Sequence, residues 1–522
     1  MIRSVVVVGG GTAGWMSAAY LRACLGDRVA VTVVESNRVG TIGVGEATFS
    51  TIRHYFDSLG LSEQDWMPAC AATYKLAIRF ENWRAPGHHF YHPFERLRVV
   101  DGFELTDWWL HNGPTDRFDK DCFIAASLCD AQRAPRHLDG RLFEQDFMET
   151  GEQPQFRTTL ADQGTQFPYA YQFDADLLAK YLRRYATERG AGHVVDDVVH
   201  VALDERGWID HLVTREHGEL KADLYLDCTG FRGLLLNQAL GEPFQPFNRY
   251  LPNDRAVALR VPLDMARLGT KPYTTATAMD AGWIWTIPLH ERIGTGYVYA
   301  EDYTTADEAE RVLREFVGPA ADGLSANHLR MRVGRSRNSW VNNCVAIGLS
   351  SGFVEPLEST GIFFIQHGIE QLVRRLPGAD WNPALRTAYN TAVAHCIDGV
   401  LEFLALHYRG AARADNRYWR DAKTRELPGR LAERLDVWQT ELPSPDTISP
   451  YYHGFEAYSY VCMILGLGGI PLRPLPALSY VDGAAARAEF TTVADHARNL
   501  VDKLPSQYEY CAHLRRPGTG EG

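Results

Sequence analysis

The chain has 522 residues, 45% of them hydrophobic and 23% charged, which predicts a large protein of about two to four domain-sized units. Its formal net charge is −12 and no long basic run is present, so nucleic acid is not an expected partner; the nine scattered cysteines form no CxxC or CxxxC pair, so neither a metal site nor a disulfide framework is expected. No apolar run reaches the length of a membrane span and the first residues predict a strand rather than a signal peptide, so we expect a soluble cytoplasmic protein with no membrane partner.

The first predicted elements form a βαβ unit. Residues 4–10 and 29–36 are runs of β-branched residues that predict buried parallel strands, and residues 12–25 predict the helix between them. Gly9, Gly11 and Gly14 fit the pattern GxGxxG, and Glu35 stands near the end of the second strand. This combination predicts a dinucleotide site, in which the glycines admit the pyrophosphate at the helix N-terminus and Glu35 accepts a hydrogen bond from the ribose. A glycine turn in an unrelated α/β protein is the alternative.

Later elements favour FAD over NAD as the dinucleotide. Residues 173–190 predict a helix, residues 193–230 alternate strands and turns, and residues 344–353 predict a strand that ends in small residues. Two late strands that return to the cofactor are typical of FAD enzymes of the aromatic-hydroxylase type. Those hydroxylases carry an acid after the glycine of the last strand, whereas this chain has Leu349. From about residue 382 the pattern is mostly helical.

Several segments resemble those of the flavin-dependent tryptophan halogenases: GGGTAGW (9–15), GVGEAT (43–48), YKLAIRFENW (74–83), GWIWTIP (282–288) and FVEPLESTG (353–361). The resemblance extends over residues 1–512, and the segments 90–103 and 451–460 look most similar to tryptophan 5-halogenases. It implies an α/β, FAD-binding, two-domain flavoprotein monooxygenase-like fold with a mostly helical C-terminal substrate-binding part. The expected division is 1–380 for the FAD-binding and halide-oxidising module, with a substrate wall at about 75–170, then 381–512 for the helical part and 513–522 for a disordered tail.

The resemblance also implies an activity. Reduced FAD and O2 oxidise chloride or bromide, and the resulting hypohalous acid crosses an internal passage to a separate pocket that holds free L-tryptophan. We expect chlorination at indole C5; attack at C6 or C7, or on another indole, is the alternative. A separate NAD(P)H-dependent flavin reductase is expected because the dinucleotide fingerprint occurs once, and a homodimer is expected by resemblance. The rival functions are an FAD-dependent aromatic hydroxylase and a non-catalytic flavin-binding protein.

Two residues match the catalytic positions of the family. Lys75 resembles the lysine that captures or hydrogen-bonds the oxidant, since an ammonium can donate to hypochlorous acid and a neutral amine can take the chlorine. Glu358 resembles the acid that stabilises the ring cation and removes its proton. The backbone of Thr360 and Gly361, which begin a predicted helix over 362–372, resembles the chloride site. The alternatives are a surface lysine and an acid that favours a helix N-terminus; Glu355 has no assigned role.

The remaining candidate residues are carried over from the family position by position. The FAD contacts are Gly11, Thr12, Ala13, Gly14, Glu35, Glu46, Ala47, Val198, Leu349 and Ile362. The walls of the indole pocket are Phe49, His92, Pro93, Phe94 and Trp283, and the residues around the amino-acid end are Gln163, Gln166, Phe455, Glu456 and Tyr458. Glu456 is expected to pair with the α-ammonium and the glutamines with the carboxylate. Ordinary core packing is the alternative for each aromatic residue.

Overall fold

The computed structural model describes residues 1–38, 46–149 and 165–516. The strands are β1 Ser4–Val8, β2 Ala30–Glu35, β3 Glu46–Ala47, β4 Thr73–Lys75, β5 Ala77–Glu81, β6 His89–Pro93, β7 Val99–Val100, β8 Phe103–Glu104, β9 Ala170–Phe173, β10 Gly192–Val195, β11 Val198–Leu203, β12 Ile209–Thr214, β13 Gly218–Leu220, β14 Leu224–Asp227, β15 Phe244–Pro246, β16 Arg255–Pro262, β17 Tyr273–Met279, β18 Gly282–Pro288, β19 Arg292–Tyr299, β20 Asn327–Arg330, β21 Gly334–Ser336, β22 Trp340–Val341, β23 Cys344–Ala346 and β24 Gly352–Phe353.

The helices of the same residues include α1 Thr12–Leu25, α2 Ile52–Ser58, α3 Glu63–Trp66, α4 Leu105–His111, α5 Phe118–Cys122, α6 Ile124–Asp130, α7 Gln145–Glu149, α8 Ala175–Glu188, α9 Met265–Leu268, α10 Ala306–Val317, α11 Gly361–Arg374, α12 Pro383–Gly410, α13 Arg417–Thr424, α14 Leu431–Val437, α15 Ala457–Leu467, α16 Ala484–Lys503 and α17 Gln507–Leu514. The predicted βαβ opening is confirmed, and α1 has the predicted bounds. In the part of the chain that the structure describes, no helix is long and apolar enough to span a bilayer.

Residue contacts divide the chain into two units, of which the first comprises Met1–Cys70, Phe173–Asn248 and Met331–Asp398. Its main sheet has the strand order β10-β2-β1-β14-β23-β22, parallel except for β22. The β-branched residues of β1 are almost fully buried, as expected for a parallel strand with both faces covered. Helices α8 and α11 each pack against α1 in this unit.

The second unit comprises Ala71–Gln172, Arg249–Arg330 and Gly399–Gly522. Its largest sheet has the order β20-β16-β19-β18-β17-β5-β6, in which β5 and β17 pair in parallel and the other neighbours are antiparallel. Helices α13 to α17 form the helical C-terminal region, as the sequence predicts. The predicted boundary at 380 differs from this contact division, so the functional domain assignment stays a prediction. Helix α17 ends at Leu514, inside the predicted tail, and residues 517–522 lie outside the described residues.

Candidate active site

The turn between β1 and α1 has the shape that a dinucleotide pyrophosphate requires. Gly9 has φ +118°, and a Cβ there would lie 2.3 Å from the carbonyl oxygen of Cys228. A Cβ on Gly14 would lie 1.8 Å from the carbonyl oxygen of Gly9, so this glycine permits close packing of helix on strand. Among the described residues, a Cβ on Gly11 would meet no atom within 4 Å, and no side chain caps the helix there. The turn therefore leaves open space beside uncapped amides, which fits a bound FAD pyrophosphate.

Glu35, at the end of β2, is held by donors from its own unit. Its carboxylate lies 2.6 Å from Nε2 of His193, 3.3 Å from Nε1 of Trp15 and 3.4 Å from Nη1 of Arg183. A Cβ on Gly10 would lie 1.6 Å from the same carboxylate, so only glycine fits beside it. The position of Glu35 fits a ribose contact. Sequence reasoning missed His193, whose partner stands more than a hundred residues earlier in the chain.

The predicted contacts near the last parallel strand lie close to this turn. Leu349 belongs to the short turn after β23, and a Cβ on the preceding Gly348 would lie 3.0 Å from Cβ of Ala13 and 3.2 Å from a side chain of α11. Thr12 and Ala13 begin α1, and Ile362 is the second residue of α11. The structure thus brings the start of α1, the turn at Leu349 and α11 together within one unit.

Two further predicted FAD contacts lie in strands of the same unit. Glu46–Ala47 forms β3, and burial, followed by the nearby carboxylate of Asp176, raises the pKa of Glu46 to about 7. Val198 begins β11, and the amide of Asp196 just before it donates to the carbonyl oxygen of Glu35 at 2.9 Å. Both residues are compatible with the predicted site, but their contact with FAD stays a prediction.

The motif at 353–361 buries both of its acids. Glu355 is 0% and Glu358 2% exposed, and a single 3₁₀ turn, Pro356–Glu358, carries the second of them. A carboxylate that is buried to this extent is not a surface acid, so Glu358 needs polar partners inside the protein. Its function as a base stays a prediction, and Glu355 still has no assigned role.

The next residues turn the chain into α11. Ser359 has φ +61°, a left-handed conformation that is uncommon for a residue with a side chain. Thr360 is the N-cap residue without a side-chain cap, and α11 begins at Gly361, one residue before the predicted start. A Cβ on Gly361 would meet no atom within 4 Å in the part of the chain that the structure describes. The amides of the first turn and the open space beside them fit the predicted chloride site.

Lys75 is the last residue of β4 and its side chain is completely buried. Its Nζ lies 5.3 Å from the centre of the Phe94 ring, a distance at which a cation and an aromatic face attract each other. Strand β4 pairs antiparallel with β9, which fixes the backbone of Lys75. The alternative interpretation of Lys75 as a surface lysine is therefore wrong.

Aromatic side chains surround the same part of the second unit. The His92 ring lies 6.4 Å from Phe455 and 6.2 Å from Tyr458, whose hydroxyl donates to the carbonyl oxygen of Phe94 at 3.2 Å. Phe403, which sequence reasoning missed, lies 4.0 Å from the Phe455 ring. An assembly of flat apolar faces with few polar groups suits an indole ring.

Three predicted wall residues of the indole pocket remain: Pro93, Trp283 and Phe49. Pro93 ends β6, and Trp283 lies buried in β18 with its ring 6.4 Å from Trp285. Phe49 belongs to the first unit, where it lies 5.3 Å from Phe363. Their contact with a substrate stays a prediction.

The predicted amino-acid end of the pocket contains a buried ion pair. Oε2 of Glu456 accepts a hydrogen bond from Nε of Arg96 at 2.6 Å, and Nε2 of Gln166 donates to the carbonyl oxygen of Arg96 at 3.3 Å. Gln163 lies outside the described residues. Sequence reasoning missed Arg96, because arginines in the segment FERLR are more often exposed than buried.

A polar cavity of about 600 Å³ lies in the first unit, away from all predicted site residues. Two of its arginines pair with acids on its own walls, Arg335 with Asp398 at 2.8 Å and Arg337 with Glu242 at 3.6 Å. The cavity is therefore not part of the candidate active site.

The parallel sheet, the glycine turn and the half-buried Glu35 together define a dinucleotide-binding fold of the kind found in flavin enzymes. Over residues 4–483 the chain matches the model of the tryptophan halogenase family, and it belongs to this family. It is 65% identical to the 7-chloro-L-tryptophan 6-halogenase KtzR of Kutzneria sp. (strain 744), over 98% of this chain and 99% of that protein. It is also 65% identical to the tryptophan 6-halogenase SttH of Streptomyces toxytricini, over 98% of both chains.

Solved structures agree with the family assignment. The crystal structure of SttH from Streptomyces toxytricini has a TM-score of 0.94 and 64% identity, and covers 98% of this chain and 99% of that one. Xcc4156, a flavin-dependent halogenase from Xanthomonas campestris, has a TM-score of 0.86 and 31% identity over 98% of both chains. The predicted fold and the prediction of a flavin-dependent halogenase are confirmed, and FAD follows from the family. The closer likeness to 5-halogenases is not confirmed, because both relatives at 65% identity are 6-halogenases.

Proposed function

We propose that this enzyme chlorinates, or brominates, the indole ring of free L-tryptophan at C6. The observation that carries the proposal is the complete burial of Lys75 against the Phe94 ring, in a cluster of aromatic side chains. Lysine side chains are rarely fully buried, and the amino group of Lys75 beside aromatic rings suits the delivery of a polarised chlorine to an indole. The sequence analysis favours C5, but the 6-halogenases among the relatives support C6 better.

The first unit would hold the cofactor and the halide. Reduced FAD, with O2, would supply the oxidation of chloride. The uncapped amides at Gly11 would bind its pyrophosphate and Glu35 its ribose, with the turn at Leu349 beside them. The first amides of α11, at Thr360 and Gly361, would hold the chloride ion.

The protein's own groups would perform the substitution on the ring. Lys75 would bind the hypochlorous acid, either by donating a hydrogen bond from its ammonium or, as a neutral amine, by taking the chlorine in an N–Cl bond while the O–Cl bond breaks and water leaves. Glu358 would stabilise the positive charge on the ring and accept the proton from the carbon that is attacked. The aromatic groups around His92 would align the indole, and thereby set which carbon faces Lys75.

We further propose that a separate NAD(P)H-dependent flavin reductase supplies reduced FAD and that the enzyme is a homodimer. The dinucleotide fingerprint occurs once in the sequence, which leaves NAD(P)H oxidation to another protein. A cytoplasmic location also stays a prediction.

The test is a chlorination assay with product mass and ring NMR. The enzyme is incubated with chloride, FAD, NADH, a flavin reductase and either L-tryptophan or 7-chloro-L-tryptophan, the substrate in the name of KtzR. We expect a product chlorinated at C6, and its loss in Lys75→Met and Glu358→Gln. Lys271→Met is the matched control, because this lysine also lies over an aromatic ring, 5.8 Å from the centre of Tyr273, but is exposed.

Each other outcome contradicts a defined part of the proposal. A product chlorinated at C5 would restore the regiochemistry predicted from the sequence. A hydroxylated product that forms without halide would favour the aromatic hydroxylase. Bound FAD without any product would favour the non-catalytic flavin-binding protein.

A further inference from the structure

Arg96 is a buried arginine that joins two segments predicted to bind the amino-acid end of the substrate. Its side chain is 1% exposed, and a guanidinium at this depth requires polar partners. Its Nε donates to Oε2 of Glu456 at 2.6 Å, and its Nη1 donates to the carbonyl oxygen of Thr165. One planar group therefore fixes a carboxylate and a distant loop at the same time.

The main chain of Arg96 extends this connection to Gln166. The amide of Arg96 donates to the carbonyl oxygen of Gln166 at 2.9 Å, and Nε2 of Gln166 donates to the carbonyl oxygen of Arg96 at 3.3 Å. Gln166 is itself 4% exposed. The positions of Gln166 and Glu456 relative to each other thus depend on Arg96.

The charges in this cluster are arranged as a pair. Glu456 directly precedes α15, and its side chain does not cap that helix but binds Arg96. Burial and the Glu456 carboxylate raise the pKa of Tyr458, and Arg96 opposes this effect, so the three groups share one electrostatic environment. A cation next to an anion is complementary to a zwitterion, which presents an ammonium and a carboxylate side by side.

We propose that Arg96 is a positioning residue that makes the site selective for indoles that carry a zwitterionic amino-acid group. It holds Glu456 where the substrate ammonium binds and Gln166 where the substrate carboxylate binds. The inference rests on the proposed function, because it takes tryptophan as the substrate. An indole without these charges leaves the Arg96–Glu456 pair without a partner and is bound by the aromatic cluster alone.

The decisive variant is Arg96→Lys. A lysine keeps the positive charge, but its ammonium lacks the planar fork that serves Glu456 and the carbonyl of Thr165 together. Arg98→Lys is the matched control: Arg98 is also buried, at 2% exposure, but its Nη1 pairs with Glu489, which is 26% exposed. The readout is the ratio of kcat/KM for L-tryptophan to kcat/KM for 3-methylindole.

We expect Arg96→Lys to lower this ratio about 10- to 100-fold, mainly through the KM for tryptophan, since charge-assisted hydrogen bonds to the substrate are weakened. Arg98→Lys should keep the ratio within about twofold of wild type. Equal losses on both substrates in Arg96→Lys, or the same fall in the control, would show a purely structural role and overturn the proposal. Glu456→Gln, which keeps the shape and removes the charge, should also lower the ratio, and an unchanged ratio would refute it.

Calorimetric titration separates this proposal from the proposed function. L-tryptophan and the uncharged 3-methylindole are titrated into wild type and Arg96→Lys without FAD or chloride, after thermal unfolding has shown that both proteins are folded. Weaker binding of tryptophan alone in the variant supports the role of Arg96 even if no chlorination occurs. Equal affinities for wild type and variant overturn it, whatever product the enzyme makes.

Discussion

Replacement of Gly11 by alanine separates cofactor binding from folding. Gly11 has φ −77° and ψ −170°, an extended conformation that alanine adopts without strain, and its Cβ would meet no atom of the described residues within 4 Å. A methyl group there projects into space that is open among the described residues and that a bound cofactor would fill. Gly14→Ala is the contrasting variant, because its Cβ would lie 1.8 Å from the carbonyl oxygen of Gly9.

The expected magnitudes follow from this difference. In Gly11→Ala the methyl group keeps the pyrophosphate away from the helix amides, and loss of one such charge-assisted hydrogen bond costs about 1.5–3 kcal/mol. The Kd for FAD should therefore rise about 10- to 150-fold. Without FAD the variant should be as stable as wild type or about 0.4–1 kcal/mol more stable, because alanine restricts the unfolded chain. Gly14→Ala should lose about 1–3 kcal/mol or more without FAD, because strand and helix must separate.

Two measurements on FAD-free protein check this reasoning: urea unfolding, and titration of FAD followed by its fluorescence. A Gly11→Ala protein that binds FAD with wild-type affinity would show that the pyrophosphate does not approach this turn. A Gly11→Ala protein that unfolds at lower urea without FAD would show that the space beside Gly11 is occupied by the protein itself. Either result would refute the assignment of the turn.

Two other predictions concern buried residues. Ser359→Val should lower the free energy of unfolding by about 1–3 kcal/mol and weaken chlorination, because a β-branched residue is strained at φ +61°. Ser359→Gly is the control and should fold normally. Equal urea midpoints for the two variants would contradict this prediction. Burial raises the pKa of Glu95 from 4.5 to about 7, and the charge of Arg98 opposes this effect. Between these two pH values the folded state keeps a proton that the unfolded state loses. The free energy of unfolding therefore falls as the pH rises from about 4.5 to about 7. Glu95→Gln should remove this pH dependence, and its side-chain oxygen can still accept a hydrogen bond from the amide of Ala125. Measured by urea unfolding, the stability of the variant relative to wild type should therefore improve by about 3 kcal/mol between pH 4 and pH 8. A stability difference that does not change with pH would refute the raised pKa of Glu95.

The cofactor turn is predictable from sequence because its determinants are local. The valine run of β1, the spacing of Gly9, Gly11 and Gly14, and the length of α1 lie within 25 residues, and each dictates backbone geometry by itself. The start of α11 at Gly361 is predicted to within one residue for the same reason, since small residues precede an apolar helix pattern.

The large sheet of the second unit is a different case. Strand β5 pairs in parallel with β17, almost two hundred residues later, and no local pattern specifies that partner. The burial of Arg96 is unpredictable for a related reason, because it depends on Glu456, far along the chain. The residue type alone indicates a solvent-exposed side chain. The pairing of β5 and the burial of Arg96 both depend on partners far along the chain, whereas sequence patterns indicate only local structure.

The placement of β14 next to β1 has a consequence for biosynthesis. The turn at Gly9 rests on the carbonyl of Cys228, whose amide in turn donates to the carbonyl oxygen of Val8 at 2.9 Å. A ribosome adds about 5–20 residues per second, so roughly 10–40 s separate the synthesis of these two segments. During that interval one edge of β1, four of whose five residues are valine, is unpaired and prone to association with other chains. The turn at Gly9, which would bind FAD, is not complete during this interval. We therefore expect chaperones, rather than added riboflavin, to raise the yield of soluble protein.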